Sequence, residues 1–136
     1  GLSVYTLSEN ASDREASNLA ERENKSDLII GMDLTNETND VRNILIDLAQ
    51  RESMNLAVKI SEKLINELKR RVKLLRNTHR FAGFVVLKAP DVPSLLLEMG
   101  YLSNRDEERS LRQKKYRKKL VSAIVVAFNN HFYNDT

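Results

Sequence analysis

Hydrophobic and polar positions divide the first third of the chain into a strand, a helix and a loop. The segment Leu2–Leu7 is rich in β-branched and aromatic residues and predicts a strand. Ser12 with Glu15 three residues later is a capping-box pattern, which predicts a helix that runs to about Ile30. The polar, turn-rich segment 32–40 then predicts a loop.

The middle of the chain predicts one long helix from Val41 to about Arg76. Neither Gly nor Pro occurs in this stretch, and its apolar residues keep a helical period. A break near 50–53 is an alternative, and the segment Asn77–Arg80 is predicted to end the helix.

The last third predicts two more strands and a helix. Phe84–Leu87 and Ser94–Met99 are apolar without alternation, which is typical of strands that are covered on both faces. Ser103 and Asn104 are candidate caps, and a final helix is predicted over about 113–132. The order of elements indicates an α/β fold, with a mixed sheet flanked by helices. Because three short strands make a thin sheet, we expect the chain to be the later part of a larger α/β domain.

Composition narrows the functional classes without choosing one. Hydrophobic residues make up 41% and charged residues 30% of the chain, as in globular proteins, and no apolar stretch is long enough for a membrane span. With no cysteine, disulfides, thiolate zinc sites and cysteine nucleophiles are excluded. The two histidines, His79 and His131, lack a partner at helical spacing and form no self-contained zinc motif. The net charge of +3 favours no particular partner.

Glu98 is the first candidate for chemistry, because it ends the most apolar predicted strand. Ligands of open α/β sheets bind at the carboxyl ends of strands. An apolar environment disfavours the charged carboxylate unless a metal or a donor pairs with it. The alternative is a structural carboxylate that pairs with an arginine or caps a helix.

The segment 84–98, with Pro90 and Pro93 and the ending LLLE, continues into Gly-Tyr-Leu-Ser-Asn over 100–104. Together with the opening Gly1–Ser8 and the stretch 19–24, it closely resembles the zinc-dependent N-acetylmuramoyl-L-alanine amidases of the bacterial cell-division type. The resemblance spans nearly the whole chain. We therefore expect residues 1–136 to be the C-terminal part of one amidase catalytic domain, with a helical regulatory insertion over about 9–77.

The resemblance implies a zinc-dependent hydrolase that cleaves the amide between N-acetylmuramic acid and the L-alanine of the peptidoglycan stem peptide. It implies that two histidines and a glutamate hold the zinc, and that these ligands precede Gly1. Glu98 matches the family's catalytic glutamate, which takes a proton from water and delivers it to the leaving amine. The resemblance also implies a periplasmic location and activation by a LytM-domain protein. We expect a monomer with no membrane span.

In the family, a helix of the insertion blocks the zinc cleft by placing a glutamate at the open metal position. Helix geometry favours Glu23 for this autoinhibitory metal contact, because Glu23 lies within about 100° of Ala16 and Ala20. Glu21 points elsewhere and is the alternative. A glutamate on a solvated helix face, with no such role, is the competing interpretation of Glu23.

Two functions of other classes remain open. The basic run over 109–119 favours nucleic-acid binding by charge, although acidic neighbours and the lack of interleaved aromatic residues argue against it, and we expect no nucleic-acid partner. A solvated helix face or attraction to an anionic cell wall also explains the run. The second alternative is a non-catalytic module that binds a partner through its long helix.

Overall fold

The structure is a computed structural model that describes residues 1–29 and 40–133. Within these ranges the chain forms three strands and four α-helices. In order they are β1 (Leu2–Leu7), α1 (Arg14–Ile29), α2 (Asp40–Lys69), β2 (Leu74–Ala82), β3 (Leu95–Glu98), α3 (Arg105–Arg112) and α4 (Lys114–Phe132).

The sheet has the strand order β2-β1-β3, so β1 is the central strand. All six residues of β1 are buried, as expected for a strand with both edges paired and both faces covered. Gly1 lies against Leu75, and the Ser8 amide donates to the Ala82 carbonyl at 3.0 Å. Because the residue numbers increase in the same direction along both strands, β1 and β2 are parallel.

The third strand runs in the opposite direction to β1. Tyr5 contacts Glu98, and Leu7 lines a small cavity with Ser94. Because the later residue of β1 lies near the earlier residue of this segment, β1 and β3 are antiparallel. The sheet is therefore mixed, which confirms the predicted α/β fold.

The chain divides into two compact units, each with its own buried apolar cluster. The first comprises 1–5, 59–79 and 96–136, and the second comprises 6–58 and 80–95. In the first unit the buried residues include Leu2, Val4, Tyr5, Ile60, Leu64, Leu68, Leu120, Ala123 and Ala127. In the second they include Leu7, Ala16, Ala20, Ala57, Ala82, Phe84 and Leu87.

Several predicted elements are confirmed. Strand β1 has the predicted bounds, β3 lies within the predicted run 94–99, and α4 begins one residue later than predicted. Asn104 caps α3, because its Oδ1 accepts from the amides of Asp106 and Glu107. Of the predicted loop over 32–40, residues 32–39 lie outside the described residues, and Asp40 already begins α2. None of the described helices has the length and apolar character needed to cross a membrane.

Two predictions in the middle of the chain are wrong. The long helix ends at Lys69 and has no break near 50–53, and the following segment Leu74–Ala82 is β2 rather than the end of a helix. Phe84–Leu87 is not a strand, since Val85–Leu87 forms a short 3-10 helix. The Val85 amide is bonded by the Asn24 side chain at 2.9 Å instead of by a neighbouring strand.

The start of α1 is fixed by a buried arginine of β2. Asp13 caps the helix in place of the predicted Ser12, with its Oδ1 accepting from the Ala16 amide at 2.9 Å. Arg80 is only 6% exposed and pairs with both carboxylate oxygens of Asp13 and with Glu15 at 2.9 Å. The hydrogen bond from Arg80 holds the pKa of Asp13 well below its ordinary value.

We predict that Arg80→Ala in the full-length protein lowers the free energy of unfolding by about 2–4 kcal/mol, because it leaves Asp13 without its cation. Urea denaturation at neutral pH measures this loss. Arg76→Ala, an exposed position on the same strand, is the matched control and should change the free energy by less than about 0.5 kcal/mol.

The same pair predicts an acid-sensitive stability. Because the pKa of Asp13 is lowered in the folded state, its contribution is present above about pH 4 and is lost as the pH falls further. Arg80→Ala should lack this part of the acid loss. An identical pH dependence in variant and wild type would contradict the assignment.

Candidate functional site

Glu98 is the last residue of β3 and lies next to the central strand. Its side chain is half-buried. In the described part of the chain, this carboxylate forms neither an ion pair nor a helix cap. The sequence left a metal, a hydrogen-bond donor, an arginine or a helix end as possible partners of Glu98. In the structure Glu98 accepts a hydrogen bond from a neutral donor.

That donor is Tyr5, whose hydroxyl donates to Glu98 Oε2 at 3.1 Å. Tyr5 lies on β1 and is 1% exposed, so its ring is held in place by the surrounding core. A phenol O–H that bonds a carboxylate restricts the rotation of that carboxylate. One carboxylate oxygen is thereby engaged, while Oε1 remains for other chemistry.

The turn that follows Glu98 is fastened by a second glutamate. Gly100 has a φ of +145°, a conformation that side chains other than glycine rarely adopt. The Tyr101 amide donates to Glu107 Oε2 at 2.7 Å, and a Cβ at Gly100 would lie 3.1 Å from the same oxygen. The exit of β3 therefore has little freedom, which helps to fix the backbone of Glu98.

Helix α1 carries the two candidates for the autoinhibitory contact, and both are exposed. Glu21 pairs with Lys25 at 2.8 Å, and the hydrogen bond from Lys25 lowers the pKa of Glu21. Among the described residues Glu23 has no ion-pair partner. The buried face of α1 is formed by Ala16 and Ala20.

Asn24 is a positioning residue of α1 that the sequence pattern did not single out. Its Nδ2 donates to the Gly83 carbonyl and its Oδ1 accepts from the Val85 amide, both at 2.9 Å. Asn24 follows Ala16 and Ala20 at steps of four residues, so it lies on the same face of the helix as these buried alanines. A polar residue on that face is the feature of the sequence that could have predicted its role. This pair of bonds ties α1 to the segment that leads towards β3.

The histidines do not assemble a metal site. Burial lowers the pKa of His79, and the Glu62 carboxylate opposes this effect. Across residues 1–29 and 40–133, no three His, Asp or Glu side chains are grouped so that they could hold a metal ion. These two ranges thus do not provide the three-ligand zinc site that the resemblance implies, and the placement of the ligands before Gly1 stays a prediction.

A cleft of about 420 Å³ lies beside the turn after Glu98. Met99, Asn104, Glu107 and Tyr116 are among its lining residues, whereas Glu98 is not. The residue that follows Glu98 in the sequence thus lines the cleft, whereas Glu98 itself does not.

The basic run is divided between two helices. In α3, Arg112 pairs with Glu108 at 2.6 Å, and Arg109 lies 4.0 Å from Asp106. The lysines of α4 belong instead to a separate groove of about 660 Å³. The two arginines of α3 therefore lie outside the groove that the lysines of α4 line.

Comparison with known proteins relates the chain to N-acetylmuramoyl-L-alanine amidases. The family model described as N-acetylmuramoyl-L-alanine amidase matches residues 1–130. The chain is 36% identical to the N-acetylmuramoyl-L-alanine amidase AmiA of Escherichia coli (strain K12), over 98% of the chain and 46% of the relative. It is 34% identical to AmiA of Salmonella typhimurium, with the same coverage. For AmiC of Escherichia coli O6:H1 the identity is 34%, over 97% of the chain and 32% of the relative. The chain thus spans less than half the length of these relatives.

Proposed function

The chain belongs to the N-acetylmuramoyl-L-alanine amidase family, and on that premise we propose that the protein is a peptidoglycan hydrolase. The bond it cleaves is the amide between N-acetylmuramic acid and the L-alanine of the stem peptide. The family match over 1–130 supports this reaction class. The observation that carries the assignment of residues is Glu98, held at the end of β3 by the buried Tyr5.

In this proposal Glu98 is the general base and then the general acid. Its carboxylate takes a proton from water as the water oxygen bonds to the scissile carbonyl carbon. The same proton passes to the amide nitrogen as the carbon–nitrogen bond breaks, which leaves a carboxylic acid and a free amine. Zinc dependence belongs to the proposal through the family resemblance, whereas both proton transfers use the side chain of Glu98.

We predict that Glu98→Gln in the full-length enzyme lowers turnover by about 10²- to 10⁴-fold, because the amide cannot accept the proton. Release of soluble fragments from dye-labelled peptidoglycan measures turnover, and metal content should be unchanged. Glu52→Gln, an exposed glutamate on α2, is the control and should retain full activity. Near-normal turnover of Glu98→Gln would overturn the assignment. A wild type that stays inactive even when a LytM-domain activator is added would favour the non-catalytic partner-binding module.

Tyr5 acts in this proposal as a positioning residue for Glu98. It has no route to substrate of its own at 1% exposure, but its hydroxyl fixes Oε2 and leaves Oε1 to handle the proton. A hydrogen bond to a charged group is worth about 1.5–3 kcal/mol, which is enough to affect the transition state measurably.

We predict that Tyr5→Phe lowers kcat about tenfold and leaves KM unchanged, since the ring remains and only the hydroxyl is lost. Tyr116→Phe, which removes a half-buried phenol elsewhere in the first unit, is the matched control. If Tyr5 acts through Glu98, Tyr5→Phe should cause no further loss in a Glu98→Gln background. Equal and independent losses in both backgrounds would indicate a purely structural role.

Regulation is the second part of the proposal. We propose that Glu23, whose side chain is exposed on α1, is the autoinhibitory carboxylate that blocks the catalytic cleft until a LytM-domain activator displaces the helix. Its lack of an ion-pair partner within the described chain supports this choice over Glu21, which is engaged with Lys25. A periplasmic location belongs to the same proposal.

We predict that Glu23→Ala raises the basal hydrolysis of peptidoglycan without activator about tenfold, equivalent to about 1.4 kcal/mol of lost inhibition. Glu21→Ala is the matched control, two positions away on the same helix. An unchanged basal rate for Glu23→Ala would exclude Glu23. An increase confined to Glu21→Ala would assign the block to the alternative residue.

A further inference from the structure

A groove of about 660 Å³ in the first unit is lined almost entirely by cations. Two of them follow the end of α2 and four belong to the first turns of α4. We call this surface the basic groove, defined by Arg70, Arg71, Lys114, Lys115, Lys118 and Lys119. Ser122 is its remaining lining residue, and no carboxylate of the described chain lines it.

The charge of the basic groove is only weakly neutralised by the protein itself. Arg71 bonds Glu67 at 2.5 Å and Arg70 lies 3.9 Å from the same carboxylate. The four lysines are exposed, and within the described residues they form no ion pair. At least four cations are therefore available to an external anion.

The placement of these lysines opposes the stability of α4. The start of a helix carries partial positive charge, which disfavours lysines there. Lys114 and Lys118, like Lys115 and Lys119, are also like-charge pairs one turn apart, which destabilise a helix. Folding alone does not favour this arrangement, whereas a bound polyanion would offset the repulsion.

We propose that the basic groove binds the carboxylates of peptidoglycan stem peptides, and thereby holds the enzyme on its polymeric substrate. This inference rests on the proposed function. Each stem peptide that is not cross-linked ends in a carboxylate, and the lysines repeat one helical turn, or about 6 Å, apart. The groove thus offers recurring cations to a polymer with recurring anions, at a surface formed by residues other than Glu98.

Nucleic acid is the main rival polyanion, and the groove lacks a feature that single-stranded nucleic acid uses. None of its seven lining residues is aromatic, so the groove has no platform for base stacking. Charge and the substrate class together favour the cell-wall polymer.

Co-sedimentation of the full-length protein with purified insoluble peptidoglycan tests the proposal, in the Glu98→Gln background so that the polymer is not consumed. Lys114→Glu with Lys118→Glu should weaken binding about tenfold or more, and added salt should weaken the binding of the parent protein that keeps its lysines. Arg109→Glu with Arg112→Glu is the matched control, because it changes the net charge equally but lies outside the groove. Thermal melting verifies that each variant is folded.

The polymer itself provides a second control. Peptidoglycan whose carboxylates have been converted to amides should bind the parent protein as weakly as native peptidoglycan binds the lysine variant. Equal loss in both charge-reversal variants would show a net-charge effect and overturn the groove. Unchanged sedimentation of the lysine variant, with loss of its binding to DNA or to anionic phospholipid vesicles, would assign the groove to that other polyanion.

The two proposals fail separately. If wild type hydrolyses peptidoglycan and the lysine variant still sediments normally, the groove inference is wrong and the amidase function stands. If wild type does not hydrolyse peptidoglycan even when a LytM-domain activator is added, but sedimentation depends on the lysines and the carboxylates, the groove inference holds and the hydrolase function is wrong.

Discussion

The complete burial of β1 is the constraint on which the candidate site depends. A strand with both edges paired and both faces covered must bury every side chain, including the polar ones. A buried phenol hydroxyl is stabilised by a partner, because an unsatisfied polar group in the core is costly. Tyr5 finds that partner in Glu98 on the neighbouring strand. The packing that buries Tyr5 in the core therefore also orients the carboxylate of Glu98.

The three strands differ in how well their local sequence predicts them. Strand β1 was predicted from its β-branched and aromatic residues, and β3 from a continuous apolar run. In the structure β1 is fully buried, whereas the residues of β3 are half-buried. Strand β2 contains exposed polar positions at its centre and follows a long helix without Gly or Pro. Its parallel pairing with β1 is made by residues more than 70 positions away, and a local pattern cannot report such pairing. The 3-10 helix Val85–Leu87 likewise depends on a distant side chain, Asn24.

The candidate site could be predicted in part for the same reason. Glu98 is a lone carboxylate at the end of an apolar run, so the sequence itself marks it. Tyr5 lies within another apolar run, where a tyrosine indicates packing, and its bond to Glu98 joins residues 93 positions apart. The basic run over 109–119 is a case in which the local sequence did not predict the arrangement. Its cations lie close together in sequence, but the arginines of α3 form local ion pairs and the lysines of α4 line a groove, and a local pattern does not show this division.

Helices α3 and α4 follow each other directly and arrange their charges in opposite ways. In α3 three acids occupy the first turn and Arg109 and Arg112 the last, which suits the helix dipole at both ends. In α4 the charged residues of the first turns are all cations, and the first turn contains no acid. Both helices are rich in charged residues where they begin, so charge density alone does not explain the contrast. A helix that bears this repulsion at its dipole-disfavoured end, beside two further arginines, is better explained by an external anion than by the stability of the fold.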